Sequence, residues 1–169
     1  MLPSMIFRPI SLYNMIYKVI SKTIAERLKP VLEKTLNVEQ FGFLPNRKML
    51  DVVGITQEGI HSIKSKKDLG YILKMDLVKA YDRIEWTFLR LILLQVGIPR
   101  RVVAWIMACV SSVQFSILIN GAPTCFFQGN RGLRQGGSLS PLLFLMVMDG
   151  FSRMTVDAKK RAIEGYQDH

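Results

Sequence analysis

Apolar residues recur every fourth position at Ile16, Ile20, Ile24, Leu28, Leu32 and Leu36, with Lys18, Lys22 and Lys29 between them, a spacing that predicts an amphipathic helix facing a core. Pro30 is expected to end one helix there and open the next. A loop of turn-forming residues, Gly42-Phe43-Leu44-Pro45-Asn46-Arg47, then leads into a helix with apolar positions Val52, Ile55, Ile60 and Ile63, closed by the basic run from Lys64 to Lys67. The stretch Tyr71-Ile72-Leu73-Lys74-Met75-Asp76 follows Gly70 and is too short for an ordinary helix, so it predicts a strand ending at an acid.

Further along, Trp86, Leu89, Leu93 and Val96 mark a helix stopped by Gly97, and Pro99 opens another through Ile106 and Val110. Val113, Phe115, Ile117 and Ile119 alternate with polar residues up to Asn120-Gly121, a pair suited to a type I′ turn that folds the strand back through Pro123 to Phe127. The segment Arg131-Gly132-Leu133-Arg134-Gln135-Gly136-Gly137 has no periodicity and reads as a loop. Ser140-Pro141 then starts a helix carrying Leu142, Leu145, Met146, Asp149 and Met154. Together these elements predict an α+β fold in which helices pack on a small antiparallel sheet.

The 169 residues are 49% hydrophobic, enough for one cored domain. Lys and Arg number 23 against 13 Asp and Glu, a net charge of +10 that suits phosphate backbones or anionic surfaces, with a basic protein that has no such partner as the alternative. Cys109 and Cys125 have no Cys or His at metal-ligand spacing, so they read as small buried hydrophobes. No apolar run approaches a membrane span, and Arg8 interrupts any apolar leader. The expectation is a soluble, intracellular protein, nuclear or cytoplasmic, with no membrane partner.

An acid at a strand end, as Asp76 is expected to be, suits a Mg²⁺ ion, which takes one or two carboxylates and keeps its other places for water and phosphate. A turn residue or a helix cap satisfies the same pattern. The neighbours change the weighing. Lys74-Met75-Asp76-Leu77-Val78-Lys79-Ala80-Tyr81-Asp82-Arg83-Ile84-Glu85-Trp86 resembles the first palm motif of reverse transcriptases, particularly the LINE-type (non-LTR) enzymes of plants. Arg131-Gly132-Leu133-Arg134-Gln135-Gly136 followed by Leu139-Ser140-Pro141 resembles the motif that contacts nucleotide and template. Arg8-Pro9-Ile10-Ser11-Leu12 and Gln40-Phe41-Gly42-Phe43-Leu44-Pro45-Asn46-Arg47 resemble segments of the fingers.

The resemblance implies a right-hand polymerase, with fingers over about residues 1–69 and palm over about 70–169. It implies RNA-directed DNA synthesis by two-metal nucleotidyl transfer, with Mg²⁺ as cofactor and an RNA template, a DNA primer and deoxynucleoside triphosphates as partners. Asp76 would be the catalytic metal-binding carboxylate, aided by the backbone carbonyl of Leu77. Tyr81 would lie under the sugar and exclude a 2′ hydroxyl, although a ring packed beside the strand fits the same position. Gln135 and Gly136 would meet the nucleotide, and Arg8, Arg47, Arg131 and Arg134 are candidates for phosphate contacts.

The chain departs from the family pattern at Gly137-Ser138, where Asp-Pro is usual, and at Asn46, where glycine is common. No Asp-Asp pair occurs in it; the Asp-Asp hairpin and the thumb are expected in a larger reading frame of which this is the middle. Polymerase activity from the chain alone is therefore not expected. A remainder of the polymerase, or another chain, would complete the palm, and until then open edges and apolar helix faces favour aggregation. Two other readings stand beside this one: a non-catalytic basic nucleic-acid-binding fragment, and an inert retrotransposon relic.

Overall fold

The computed structural model describes residues 15–37, 40, 42, 48–66, 72, 74–112 and 114–167, with side chains described up to 161 except that of 49. Five helices and two short antiparallel strand pairs make up the described structure: α1 Met15–Thr35, α2 Met49–Lys66, a 3₁₀ turn Ala80–Arg83, α3 Trp86–Gln95, α4 Arg100–Ser111, β1 Gln114–Phe115, β2 Leu118–Ile119, β3 Ala122–Pro123, β4 Phe127–Gln128 and α5 Ser140–Gln167. Helices plus a small antiparallel sheet is the class that the hydrophobic pattern predicts.

The core forms where α3 packs on α4 and α5, and α1 packs on α4 and α5. Leu32, Leu89, Leu93, Ile106, Leu143 and Met146 are its most deeply buried large side chains. The hairpin contributes none of the buried core among the described residues, so the helices bury their apolar faces chiefly against one another.

Two expectations about α1 are corrected. The helix runs unbroken through Pro30. Proline removes one intrahelical bond and crowds the preceding turn, but Leu28 and Leu32 on either side are both buried in the core, which holds the two halves on one axis. The buried face is Ser21, Ala25, Leu28 and Leu32, not the full fourfold stripe: a repeat of four drifts about 40° per step around a helix of 3.6 residues per turn, so Ile16 and Ile20 end up exposed. On α2 the apolar positions find little cover either, with Ile55 exposed and no described side chain of the helix buried.

The strand expected over Tyr71–Asp76 is also corrected. Of that stretch the described residues are 72 and 74–76, and they carry no strand. A strand exists only through a partner's ladder, and among the described residues nothing pairs with this segment.

The hairpin follows its turn chemistry. Asn120 (φ 50°) and Gly121 (φ 83°) both sit at positive φ, as a type I′ turn requires, and Ile119 pairs with Ala122 and Leu118 with Pro123. Phe115 pairs with Phe127 and Gln114 with Gln128, a register one residue out of step with the first pair. The extra residue is absorbed at 124–126, where Thr124 N–H donates to the Ile117 carbonyl (2.8 Å) and Ser116 Oγ donates to the Thr124 carbonyl (2.8 Å). This is the geometry of a β-bulge. Among the described residues no helix is long and apolar enough to cross a membrane.

Candidate active site

The stretch from Asp76 to Asp82 meets the glycine-rich loop at 131–136 through the 3₁₀ turn. Lys79 opens that turn in the left-handed region (φ 52°, ψ 42°), and its carbonyl accepts from Asp82 N–H at 3.0 Å. The loop is then fastened on: Gly132 N–H donates to the Ile84 carbonyl (2.7 Å), Leu133 N–H to the Tyr81 carbonyl (2.8 Å), and Trp86 Nε1–H to the Gly132 carbonyl (2.8 Å). Gly132 has φ +89°, and a Cβ built there would lie 3.0 Å from the Asp82 carbonyl oxygen. Only glycine lets the two backbones approach so closely.

The wall opposite comes from the start of α5, whose Phe144 ring stacks on Tyr81 with centroids 4.4 Å apart and planes 11° from parallel. Between these segments lies a cavity of about 540 Å³ whose lining includes Asp76, Tyr81, Asp82, Gln135, Gly136 and Phe144. The structure thus brings together Asp76, Leu77, Tyr81, Gln135 and Gly136, far apart in sequence. Asp76 is exposed at the rim, whereas Tyr81 and Gln135 are half-buried.

The arginines separate. Arg131 is exposed and pairs loosely with Glu85 at 3.7 Å, a contact that solvent screens to little net value. Arg134 also lines the cavity, but its guanidinium lies over the Tyr17 ring, 4.7 Å from the centroid, with Phe115 at 5.8 Å. Arg8 and Arg47 lie outside the described residues.

Sequence reading passed over Lys79, Phe144 and Tyr17. Lys79 has no sequence signal, since its left-handed backbone is imposed by the turn. Phe144 could have been found as the residue one helical turn beyond the Ser140-Pro141 start. Of the other acids, Asp149 is buried at the α1–α5 junction, where it accepts from Asn37 N–H (3.0 Å) and Arg153 Nε–H (2.7 Å). It is not among the residues lining the cavity. Asp168 lies outside the described residues.

Two measurements follow from this geometry. Lys79→Gly is expected to raise stability by about 1 kcal/mol, because a side chain in the left-handed region costs roughly that amount; the urea midpoint would rise, and no rise would mean the turn is not strained. Burial pushes up the Tyr17 and Tyr81 phenols from their ordinary 10.0, and the Cys109 thiol from 9.0. Since the folded chain then holds these protons longer than the unfolded one, their stabilisation is intact below pH 9.0 and falls as pH rises through 9.0 and 10.0. Denaturation midpoints taken upward from about pH 8 should decline, less steeply in Tyr81→Phe.

A second cavity, about 930 Å³, lies between α1 and α4 and is lined by Ile16, Ile20, Ile98, Val102 and Trp105 among others, with no carboxylate. Its apolar walls carry no group suited to phosphate chemistry beyond Arg27.

Residues 4–168 match the family model described as reverse transcriptase (RNA-dependent DNA polymerase). A transposon TX1 uncharacterized 149 kDa protein of Xenopus laevis is 28% identical over 145 residues, covering 86% of this chain and 11% of that protein. A Pol polyprotein from the type-2 retrotransposable element R2DM of Drosophila melanogaster is 30% identical over 148 residues, 87% of this chain and 14% of the relative. A Pol polyprotein from the type-1 retrotransposable element R2 of Popillia japonica is 26% identical over 150 residues, 85% of this chain and 20% of the relative. The chain therefore spans a fifth or less of the length of these relatives.

Proposed function

Because this chain belongs to the reverse transcriptase (RNA-dependent DNA polymerase) family, in the group found in non-LTR retrotransposons, we propose that its smaller cavity receives a deoxynucleoside triphosphate for DNA synthesis on an RNA template. The observation that carries this reading is the convergence of Asp76, Tyr81 and Gln135 on one cavity. In it, residues 1–69 belong to the fingers and 70–169 to the palm of a right-hand polymerase.

The donor set suits one Mg²⁺ arriving on a triphosphate, held by the Asp76 carboxylate and the Leu77 carbonyl, because Mg²⁺ fills its remaining places with water and phosphate. It does not suit two ions: among the described residues no three His, Cys, Asp or Glu side chains gather at one point. Once bound, such an ion would offset the charge of the phosphates. The chain's own groups do the rest. The Tyr81 ring, held against Phe144, gives the sugar a flat floor that leaves no room for a 2′ hydroxyl. Gln135 offers an amide to the nucleotide, and Gly136 lets the backbone come close. Arg131, with Arg8 and Arg47, meets the nucleic-acid backbone.

A second reading is favoured by the sparse acids of the cavity, where among the described residues Asp76 and Asp82 are the carboxylates in its lining, together with the +10 charge: the chain binds nucleic acid, with strong salt dependence, without copying it. Primer extension on an RNA template with Mg²⁺, run beside Asp76→Ala, separates the two. Extension that disappears in Asp76→Ala supports synthesis at this cavity, and extension unchanged in Asp76→Ala rejects it. No extension, with RNA retention that weakens as salt rises, supports the second reading.

A further inference from the structure

Arg134 sits between the buried Leu133 and the cavity residue Gln135, and its surroundings come from two distant elements. Tyr17 belongs to α1, which is seated on the core through α4 and α5. Phe115 belongs to β1 and is backed by Phe127, with ring centroids 5.8 Å apart. The guanidinium lies 4.7 Å from the Tyr17 ring centroid and 5.8 Å from that of Phe115. A half-buried guanidinium loses hydration, and aromatic faces return part of that loss, more effectively for the planar guanidinium than for a compact ammonium. The glycine-rich loop is also fastened by backbone bonds to the turn at Tyr81 and Ile84 and by Trp86 Nε1–H to the Gly132 carbonyl.

We infer that Tyr17, with Phe115 beside it, is a positioning residue for the nucleotide cavity: by holding Arg134 it sets the 131–136 loop against the Tyr81 turn and so places Gln135. This rests on the reading of that cavity as a nucleotide site, and it gives Arg134 a task other than the phosphate contact expected from sequence. The environment of the Tyr17 phenol agrees with the geometry, since burial pushes its pKa up while the charge of Arg134 and a hydrogen bond with it pull the other way.

The test compares the chain with Tyr17→Phe, which keeps the ring, and Tyr17→Leu, which keeps apolar volume without a ring face. Amide hydrogen exchange is read at Gly132 and Leu133, whose N–H groups fasten the loop, alongside the amides of α3. Binding of Mg²⁺·dTTP is measured on the same samples. In Tyr17→Leu the two loop amides should exchange about tenfold faster and dTTP should bind about tenfold more weakly, the scale of a desolvated cation–ring contact. Tyr17→Phe, which keeps the ring but loses the phenol's hydrogen bond with Arg134, should fall between the unaltered chain and Tyr17→Leu on both readouts, and the α3 amides should not change. Unchanged loop exchange in Tyr17→Leu overturns the inference, as does a rise shared equally by α3, which would mark Tyr17 as a packing residue only. If the unaltered chain binds no dTTP while the loop amides still respond selectively, the clamp stands and the nucleotide reading of the cavity falls instead.

Discussion

Gly132→Ala should cost the folded chain about 3 kcal/mol, the sum of a left-handed backbone forced on an L residue, about 1–2, and overpacking against a neighbour that cannot yield, about 1–3. The neighbour is backbone: the added Cβ would meet the Asp82 carbonyl oxygen at 3.0 Å, its Cα at 3.1 Å and its carbonyl carbon at 3.3 Å. Relief would require the loop to back away from the 3₁₀ turn, breaking the bonds from Gly132 and Leu133 to Ile84 and Tyr81. Gly121 supplies the comparison, because it too has positive φ (+83°) but a Cβ there would meet nothing within 4 Å. Gly121→Ala should therefore lose only the torsional part, about 1 kcal/mol. Urea denaturation of both variants isolates the close approach as the difference between them. Equal losses would show that the two segments do not touch as described, and the cavity between them would lose one of its walls.

The elements that could be read from sequence are those fixed by local chemistry. Asn120-Gly121 makes its turn, Gly97 and Pro99 divide α3 from α4, and Ser140-Pro141 starts α5, because each depends on φ preferences or on a missing N–H that travels with the residue itself. The grouping of Asp76, Tyr81 and Gln135 was likewise expected from motif resemblance, and the cavity brings them together. What could not be read depended on partners. The continuity of α1 through Pro30 is decided by the burial of Leu28 and Leu32, a tertiary term that outweighs the local penalty. The expected strand before Asp76 needed a ladder that the described residues do not supply. The rings of Tyr17 and Phe115 beside Arg134 could not be read either, because the sequence shows its charge and not its neighbours.

Asp149 belongs with the partner-dependent residues, and replacing it should have the second large effect. Asp149 is only 3% exposed. One carboxylate oxygen accepts Asn37 N–H at 3.0 Å and the other accepts Arg153 Nε–H at 2.7 Å, while Arg153 Nη2 donates to the Thr35 carbonyl at 2.8 Å. The last turn of α1 is thus tied to the middle of α5 through one buried acid. Hydrogen bonds to a charged group contribute about 1.5–3 kcal/mol each, but Arg153 is half-exposed and recovers water when its partner is removed. Asp149→Ala should therefore lose about 2–3 kcal/mol rather than the full sum. Arg153→Ala should lose a comparable amount for a different reason: it strands a buried carboxylate with one neutral donor. Because each single change already abolishes the pair, the double variant should be less unstable than the two losses added, with a coupling of about 1 kcal/mol or more in a double-mutant cycle. Additive losses would mean that the carboxylate acts through Asn37 alone, and that α1 and α5 are joined by packing without the charge.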